Sequence, residues 1–321
     1  MFDKLKIPLV LAGLVFAFGL GSALAEDERP VVILRVQGML DPALARYVLR
    51  GLEQARELQA SAVVIQLDTP GGLDRSRRRI VQGILNSPVP VIVYVSPRGA
   101  RASSAGELVT RAAHVSAMAP GTHLGAVRSA EEAKKKGIVD FTASNLEDLL
   151  RQAQGFPVRT VFGVSGLSVQ GQAHSLVRIS AAEWFFHRLA HPGLAYILLL
   201  LGIYALLYEL ATPGTIFAGF LGTAFLILAL AALEVLDVNW AGMAMIVLSL
   251  VLFLTDIKKS GHGGLTVAGL AAFVLGSLLL FPGARIPGLR LPPTSIAAGA
   301  VVTGAFFLGL RTLKKRESRS S

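Results

Sequence analysis

The chain has 321 residues, of which 53% are hydrophobic and only 16% charged, and its mean hydropathy is +0.58. That excludes an ordinary soluble globular protein and leaves room for one soluble domain of about 150 residues beside a membrane domain. No cysteine is present, which excludes disulfides, zinc–thiolate sites and cysteine nucleophiles, and the net charge of +10 comes without a nucleic-acid-binding motif.

Residues 1–25 open with Lys4 and Lys6, continue through an apolar run and end in Ala23-Leu24-Ala25. This pattern predicts a secretory signal peptide cut after Ala25, which would place the following domain outside the cytoplasm. Residues 31–36 form a short β-type run. Asp41-Pro42 then supplies an N-cap and a first-turn proline. Leu44, Val48, Leu52, Ala55 and Leu58 fall on one face of the helix that follows. Further strands are expected at 62–67, 90–95 and 114–118, and helices at 73–86 and 103–112. The near-continuous apolar strands alternate with helices, which predicts a parallel sheet covered on both faces. The cluster Arg75, Arg77, Arg78 and Arg79 reads as a solvated helix face. Residues 129–136 and 144–153 read as helices flanking 138–140, and 158–180 as a small β ribbon. Trp184-Phe185-Phe186-His187-Arg188 reads as a helix lying in a membrane interface.

Five apolar segments follow, at 194–211, 214–236, 240–257, 264–281 and 295–310, each close to the length that crosses about 30 Å of hydrocarbon. Pro213-Gly214 is expected to turn between the first two. With the soluble domain outside, five spans put Lys258-Lys259 and the run from Arg311 to Arg316 inside, as the positive-inside rule requires; Arg285 and Arg290 fall in an outer loop. Glu209, Glu234 and Asp256 are acids near span ends, with Glu209 the most deeply placed. Gly202, Gly219, Gly222, Gly269 and Gly276 predict close helix contacts.

Two loops at strand C-termini carry the chemistry. Asp68-Thr69-Pro70-Gly71-Gly72-Leu73 follows the second strand, and its paired glycines can present backbone N–H groups without a Cβ in the way, as an oxyanion hole needs. Ser103-Ser104-Ala105-Gly106 opens the third helix, where a hydroxyl meets the positive end of the helix dipole. Both loops fall on the same edge of a parallel sheet, where sites of α/β folds form. Either loop alone reads as a turn or a cap; together they point to acyl transfer.

The segments LDTPGGL (67–73), ILNSPVPVIVYV (84–95), ASSAG (102–106), MAPGTHLGA (118–126), SAEEAKKKGIVD (129–140) and LLLLGIYALLYELATPG (198–214) resemble the NfeD family of membrane-bound, ClpP-class serine proteases. The resemblance implies a ClpP/crotonase-like α/β domain of repeated ββα units followed by an all-α transmembrane bundle. It implies Ser104 as nucleophile, with Gly71, Gly72 and the N–H of Ala105 around the oxyanion. It also implies a lysine as general base, no cofactor or metal, and peptide or membrane-protein substrates. Stomatin- or flotillin-like proteins are the implied partners, in contact with membrane lipid, and self-association is left open. The corresponding domains are a signal peptide at 1–25, a shortened ClpP-like domain at 26–157, ribbon and interfacial helix at 158–193, a bundle at 194–312 and a basic cytoplasmic tail at 313–321.

The sequence departs from the family pattern at one place. A long helical stretch that carries the family's lysine has no counterpart between Ala126 and Val127, and no lysine occurs from Glu26 to Ala133. Lys134, Lys135 and Lys136 read as a solvated helix end, and His114 and His123 are weak candidates for the base. Ser103 stands where the family usually has alanine. Many members add a soluble OB-like domain after the spans; here only the basic tail is expected. A serine lacking its base is a poor nucleophile, so the alternative reading is a catalytically impaired scaffold that still binds peptide.

Overall fold

The computed structural model describes residues 29–212, 216–236, 238–259, 264–281 and 291–320, with the side chains of 235, 257–259, 311 and 313–320 outside that set. The expected signal peptide, the Pro213-Gly214 turn, the loop with Arg285 and Arg290, the Lys258-Lys259 side chains and the tail's basic side chains lie outside the described residues.

The soluble part is built on strand β1 (Val31–Gln37), helix α1 (Pro42–Glu57), β2 (Ala62–Asp68), α2 (Asp74–Leu85), β3 (Val91–Val95), a two-residue β4 (Arg101–Ala102), α3 (Ala105–Arg111), β5 (Val115–Met118) and a short β6 (His123–Leu124). The helix α4 (Ala130–Lys135), the edge strand β7 (Phe141–Thr142), α5 (Leu146–Ala153), β8 (Pro157–Thr160), β9 (Gly163–Gly166), β10 (His174–Val177) and α6 (Ala181–Leu189) follow. Six strands make one sheet in the order β10-β1-β2-β3-β5-β7, and every pairing in it is parallel.

Strand alternation divides the core. Val63, Ile65 and Leu67 face α1, α2 and α3, where Leu44, Val48, Ile80, Ile84 and Val109 meet them. Val64, Ile92, Tyr94 and Val115 face the other way, against Leu149, Leu150 and Ala153 of α5. Burial of each such aliphatic side chain contributes about 1.5–3 kcal/mol relative to exposure, so the register of the sheet is fixed from both sides. Asp41 caps α1 as the sequence predicts, its Oδ1 accepting from the N–H groups of Ala43 and Leu44 at 2.8 Å.

Two expectations change. Between α4 and α5 the strand is 141–142, just past the 138–140 segment, because Gly137, at φ +65°, closes α4 and Ile138 N–H still bonds back to Ala133 O. The expected ribbon over 158–180 is only the hairpin β8–β9. His174–Val177 instead adds to the main sheet, parallel to β1 with Val31 opposite His174, so the domain's sheet extends past residue 157.

Helix α6 is fastened to α1 by Arg50, whose Nη2 lies 2.7 Å from Oε2 of Glu183. After Ala190 and His191, which follow α6, come the apolar helices α7 (Pro192–Ala211), α8 (Ile216–Val235), α9 (Trp240–Lys259), α10 (Gly264–Leu280) and α11 (Pro293–Ser320). All five expected apolar segments are helical. Among the described residues three are long and apolar enough to span: Pro192–Ala211, Ile216–Glu234 and Pro293–Leu310. Trp240–Asp256 and Gly264–Leu280 are shorter apolar helices. Close packing accounts for the glycines: a Cβ on Gly202 would come within 2.9 Å of the backbone of Leu226, and one on Gly276 within 2.9 Å of the backbone of Gly242 and Ile246. Glu209 and Asp256 act at hairpin ends. Glu209 Oε2 accepts from Gly219 N–H at 3.2 Å, and Asp256 Oδ2 from Thr266 Oγ1 at 2.7 Å. Glu234 is exposed.

Candidate active site

The two glycine- and serine-bearing loops are stitched together at the C-terminal edge of the sheet. Asp68 Oδ1 accepts from Arg101 N–H at 3.1 Å, Thr69 N–H donates to Arg101 O at 2.7 Å, and Ser103 N–H donates to Thr69 O at 3.1 Å. Thr69 is fully buried. Its hydroxyl donates to Gly71 O at 2.7 Å and accepts from Gly71 N–H at 3.1 Å, which folds the Pro-Gly-Gly turn onto itself.

Gly72 forms a parallel bridge with Leu40. A Cβ there would lie 2.4 Å from Leu40 Cβ and 2.6 Å from its N and O, so glycine alone fits. Gly71 needs glycine for a different reason, its φ of +137°. Of the three expected oxyanion donors, Gly71 N–H is already bonded to Thr69. The N–H groups of Gly72 and Ala105 have no hydrogen-bond partner among the described residues.

Ser104 sits on a sharp turn between β4 and α3 with φ +51° and ψ −102°, and it makes no side-chain cap bond to the helix. It is exposed, while its neighbours Ala105 and Gly106 are buried. The only other non-glycine residue with positive φ among those described is Gln59, in a helix-end turn. A serine in that region costs about 1–3 kcal/mol, and strain of this kind gathers where a side chain must be presented. A strand–turn–helix elbow that exposes a serine hydroxyl is also the geometry of the α/β-hydrolase nucleophile. Ser104 thus holds the N-cap position without capping the helix through its side chain. Gly106 lets the helix start close to the glycine loop, since a Cβ on it would lie 2.5 Å from Thr69 Cγ2.

The base candidates are placed less favourably. His114 Nδ1 accepts from Val91 N–H at 3.1 Å. Val91 begins β3, so His114 lies at the N-terminal edge of the sheet, a strand length (about 13 Å or more) from the loops. Burial lowers its pKa. His123 is exposed on β6, opposite Arg101 of β4, and Arg128 O lies 2.9 Å from its Nδ1. Lys134, Lys135 and Lys136 are exposed at the end of α4, and Lys136 pairs with Glu132 at 2.6 Å.

At Ala126–Val127, where the sequence departs from the expected family pattern, the chain makes a tight hairpin. Leu124 and Val127 exchange N–H···O bonds of 3.0 and 2.9 Å, with Gly125 at φ +56° in the turn. Gly125 N–H bonds to Ala102 O at 2.9 Å, so this hairpin abuts the strand that leads into Ser104.

Thr69, Asp68 and Gly106, which hold the loops in place, are not singled out by the sequence. Thr69 alone carried a signal, a hydroxyl residue two positions before a glycine in a turn. Two cavities of about 770 and 420 Å³ lie elsewhere, and Ser104 lines neither.

The soluble part is a parallel α/β domain with a strained, exposed serine beside a glycine turn, joined to a set of apolar helices. The profile of the N-terminal domain of NfeD1b matches residues 30–137, and that of the NfeD integral membrane domain matches residues 193–312. This chain belongs to the NfeD family. It is similar to the membrane-bound protease PH1510 of Pyrococcus horikoshii, 29% identical over 86% of this chain and 74% of that one. It is also similar to the membrane protein NfeD1b of Bacillus subtilis, 32% identical over 31% of this chain and 22% of that one. Among solved structures it aligns with the 1510-N membrane protease specific for a stomatin homologue from Pyrococcus horikoshii. That alignment has 26% identity and a TM-score of 0.46, and covers 49% of this chain and 98% of that one. A lysine-to-alanine mutant of 1510-N in complex with a substrate peptide aligns at 24% identity with a TM-score of 0.47, over 50% of this chain and 97% of that one.

Proposed function

We propose that the soluble domain is a serine endopeptidase site with Ser104 as nucleophile and the N–H groups of Gly72 and Ala105 as oxyanion donors. The observation that carries this reading is the backbone of Ser104, held at φ +51° with its hydroxyl exposed and uncapped. A serine that served only the helix would relax into the extended cap conformation seen at Ser129 and Ser180. The unbonded N–H of Ala105, next in the chain, and that of Gly72, in the loop stitched to it, suit an alkoxide developing on a bound carbonyl.

The substrate class is an apolar or membrane-near segment of a membrane protein, with a stomatin- or flotillin-like protein the partner that family membership suggests. Five spans, with the soluble domain outside and the C-terminus in the cytoplasm, satisfy the placement of the basic clusters. Incubation of the detergent-solubilised chain with a stomatin-like membrane protein tests the reading by mass spectrometry of fragments. Fragments that vanish in Ser104→Ala support it; the same fragments from both chains contradict it.

The hairpin at Leu124–Val127 favours a second reading. It closes the chain where the family's lysine-bearing stretch would begin, so Ser104 acts without that base and turnover is slow. In its limiting form the domain is a peptide-binding scaffold. Equal peptide binding by wild type and Ser104→Ala, with no cleavage by either, would select it.

A further inference from the structure

A cleft of about 770 Å³ lies away from Ser104, between β1, β10 and α6. Arg35, Arg178, Arg188 and His187 line it, with Trp184 at its wall and no carboxylate among the lining residues. Of the acids beside it, Asp41 is paired with His187, and Glu183 is held by Arg50 in two hydrogen bonds of 2.7 and 3.0 Å. Arg35, Arg178 and Arg188 are exposed and form no ion pair among the described residues. Arg188 instead lies over the Trp184 ring, 5.4 Å from its centroid. A cleft with three uncompensated guanidinium groups is a site for a phosphate, because their planar forks match its oxygens.

Its position tells which phosphate. Trp184, Phe185 and Phe186 are 51%, 47% and 48% exposed along α6, and α6 ends two residues before the first apolar helix, Pro192–Ala211. Nine helical residues span only about 13 Å, so the cleft cannot stand far from the bilayer surface. Exposed aromatics with arginines beside them are what a helix carries at the headgroup level.

We infer that this cleft binds the headgroup phosphate of an anionic glycerophospholipid, and that α6 and Arg35, Arg178 and Arg188 form its site. The chain has two tryptophans, so Trp240→Phe leaves Trp184 as the sole tryptophan, excited selectively over the tyrosines at the red edge of its absorption. The experiment places that full-length variant in nanodiscs of phosphatidylcholine containing brominated phosphatidylglycerol, or brominated phosphatidylcholine as control. Bromine on phosphatidylglycerol is expected to quench Trp184 at a far lower mole fraction than bromine on phosphatidylcholine. Adding Arg35→Gln and Arg178→Gln is expected to raise the half-quenching fraction by roughly tenfold. Both arginines are exposed, and unchanged thermal unfolding of the double variant checks that its fold is kept. Equal quenching by the two lipids, or no response to the arginine changes, overturns the proposal. So does displacement of the lipid by soluble glycerol phosphate at matched concentration, which would make the site one for free phosphate.

Discussion

His187 Nδ1 lies 2.5 Å from Oδ2 of Asp41, although 146 residues separate them in the chain. Asp41 is 1% exposed and uses its other oxygen to cap α1. Next to it, Leu40 is bonded on both sides to the glycine loop, through Gly71 O and Leu73 N–H. Met39 packs against the apolar cluster of the membrane helices. The helix that precedes the membrane is thus tied, through one carboxylate, to the Leu40–Asp41 segment that holds the glycine loop.

Asp41→Ala removes the cap and the partner of His187 together, and is expected to lower stability by about 2–3 kcal/mol. His187→Gln keeps the cap and is expected to cost less than half as much. Thermal unfolding of the purified chain in detergent measures both. Equal losses would mean that the cap contributes nothing beyond the contact with His187.

Ser104→Gly relieves the positive φ at the elbow. It is expected to raise stability by about 1 kcal/mol while abolishing any reaction at this position. A lowered melting temperature would show that the serine is not strained as the backbone angles imply.

Gly72→Ala drives a methyl group into Leu40, and no flexible side chain can yield, because the nearest atoms include the Leu40 backbone. The expected cost is about 2–4 kcal/mol, or failure to fold. Thr69→Val tests the same loop more gently. It keeps the shape and loses the hydroxyl, leaving Gly71 N–H unbonded, at a cost of about 1–3 kcal/mol. Denaturant unfolding of each variant gives the comparison, and a neutral Gly72→Ala would contradict the bridge to Leu40.

The salt bridge of Glu183 sets an acid limit. Its hydrogen bonds from Arg50, followed by those from Ser180, lower its pKa from 4.5 to about 2. The folded state therefore holds fewer protons between these values, and the pair's contribution is complete above about pH 4.5 and lost as pH falls toward 2. With Arg50 partly exposed, the contribution is about 2 kcal/mol. Limited proteolysis between α5 and α6 should rise across that window in wild type, and Glu183→Gln should be equally susceptible throughout. A wild-type profile flat from pH 5 to about 2.5 would refute the assignment.

The sequence was most legible where one physical pattern dominated. The continuous apolar runs at 62–67 and 90–95 required a sheet buried on both faces, and Asp41-Pro42 marked a helix start that the structure keeps. The apolar segments were equally plain. The path of His174–Val177 was not, because its short alternating pattern is the same in an isolated ribbon and at the edge of a parallel sheet. At the site, paired glycines were readable as a turn. That Gly71 N–H is consumed while Gly72 N–H stays unbonded depends on where Thr69 points, a tertiary fact. The strain at Ser104 is also invisible in sequence, since serine is common at helix starts in a relaxed form. The basic cleft draws on β1, β10 and α6, far apart in the chain, and no single segment announces it.

The most direct test of the central claim is covalent labelling of the full chain in detergent by a fluorophosphonate probe, read by intact mass and peptide mapping. Nucleophilic attack by an activated Ser104 predicts one phosphonyl adduct, mapped to the peptide containing Ala102–Gly106 and absent from Ser104→Ala. No adduct on wild type, or equal labelling of wild type and Ser104→Ala, would contradict it.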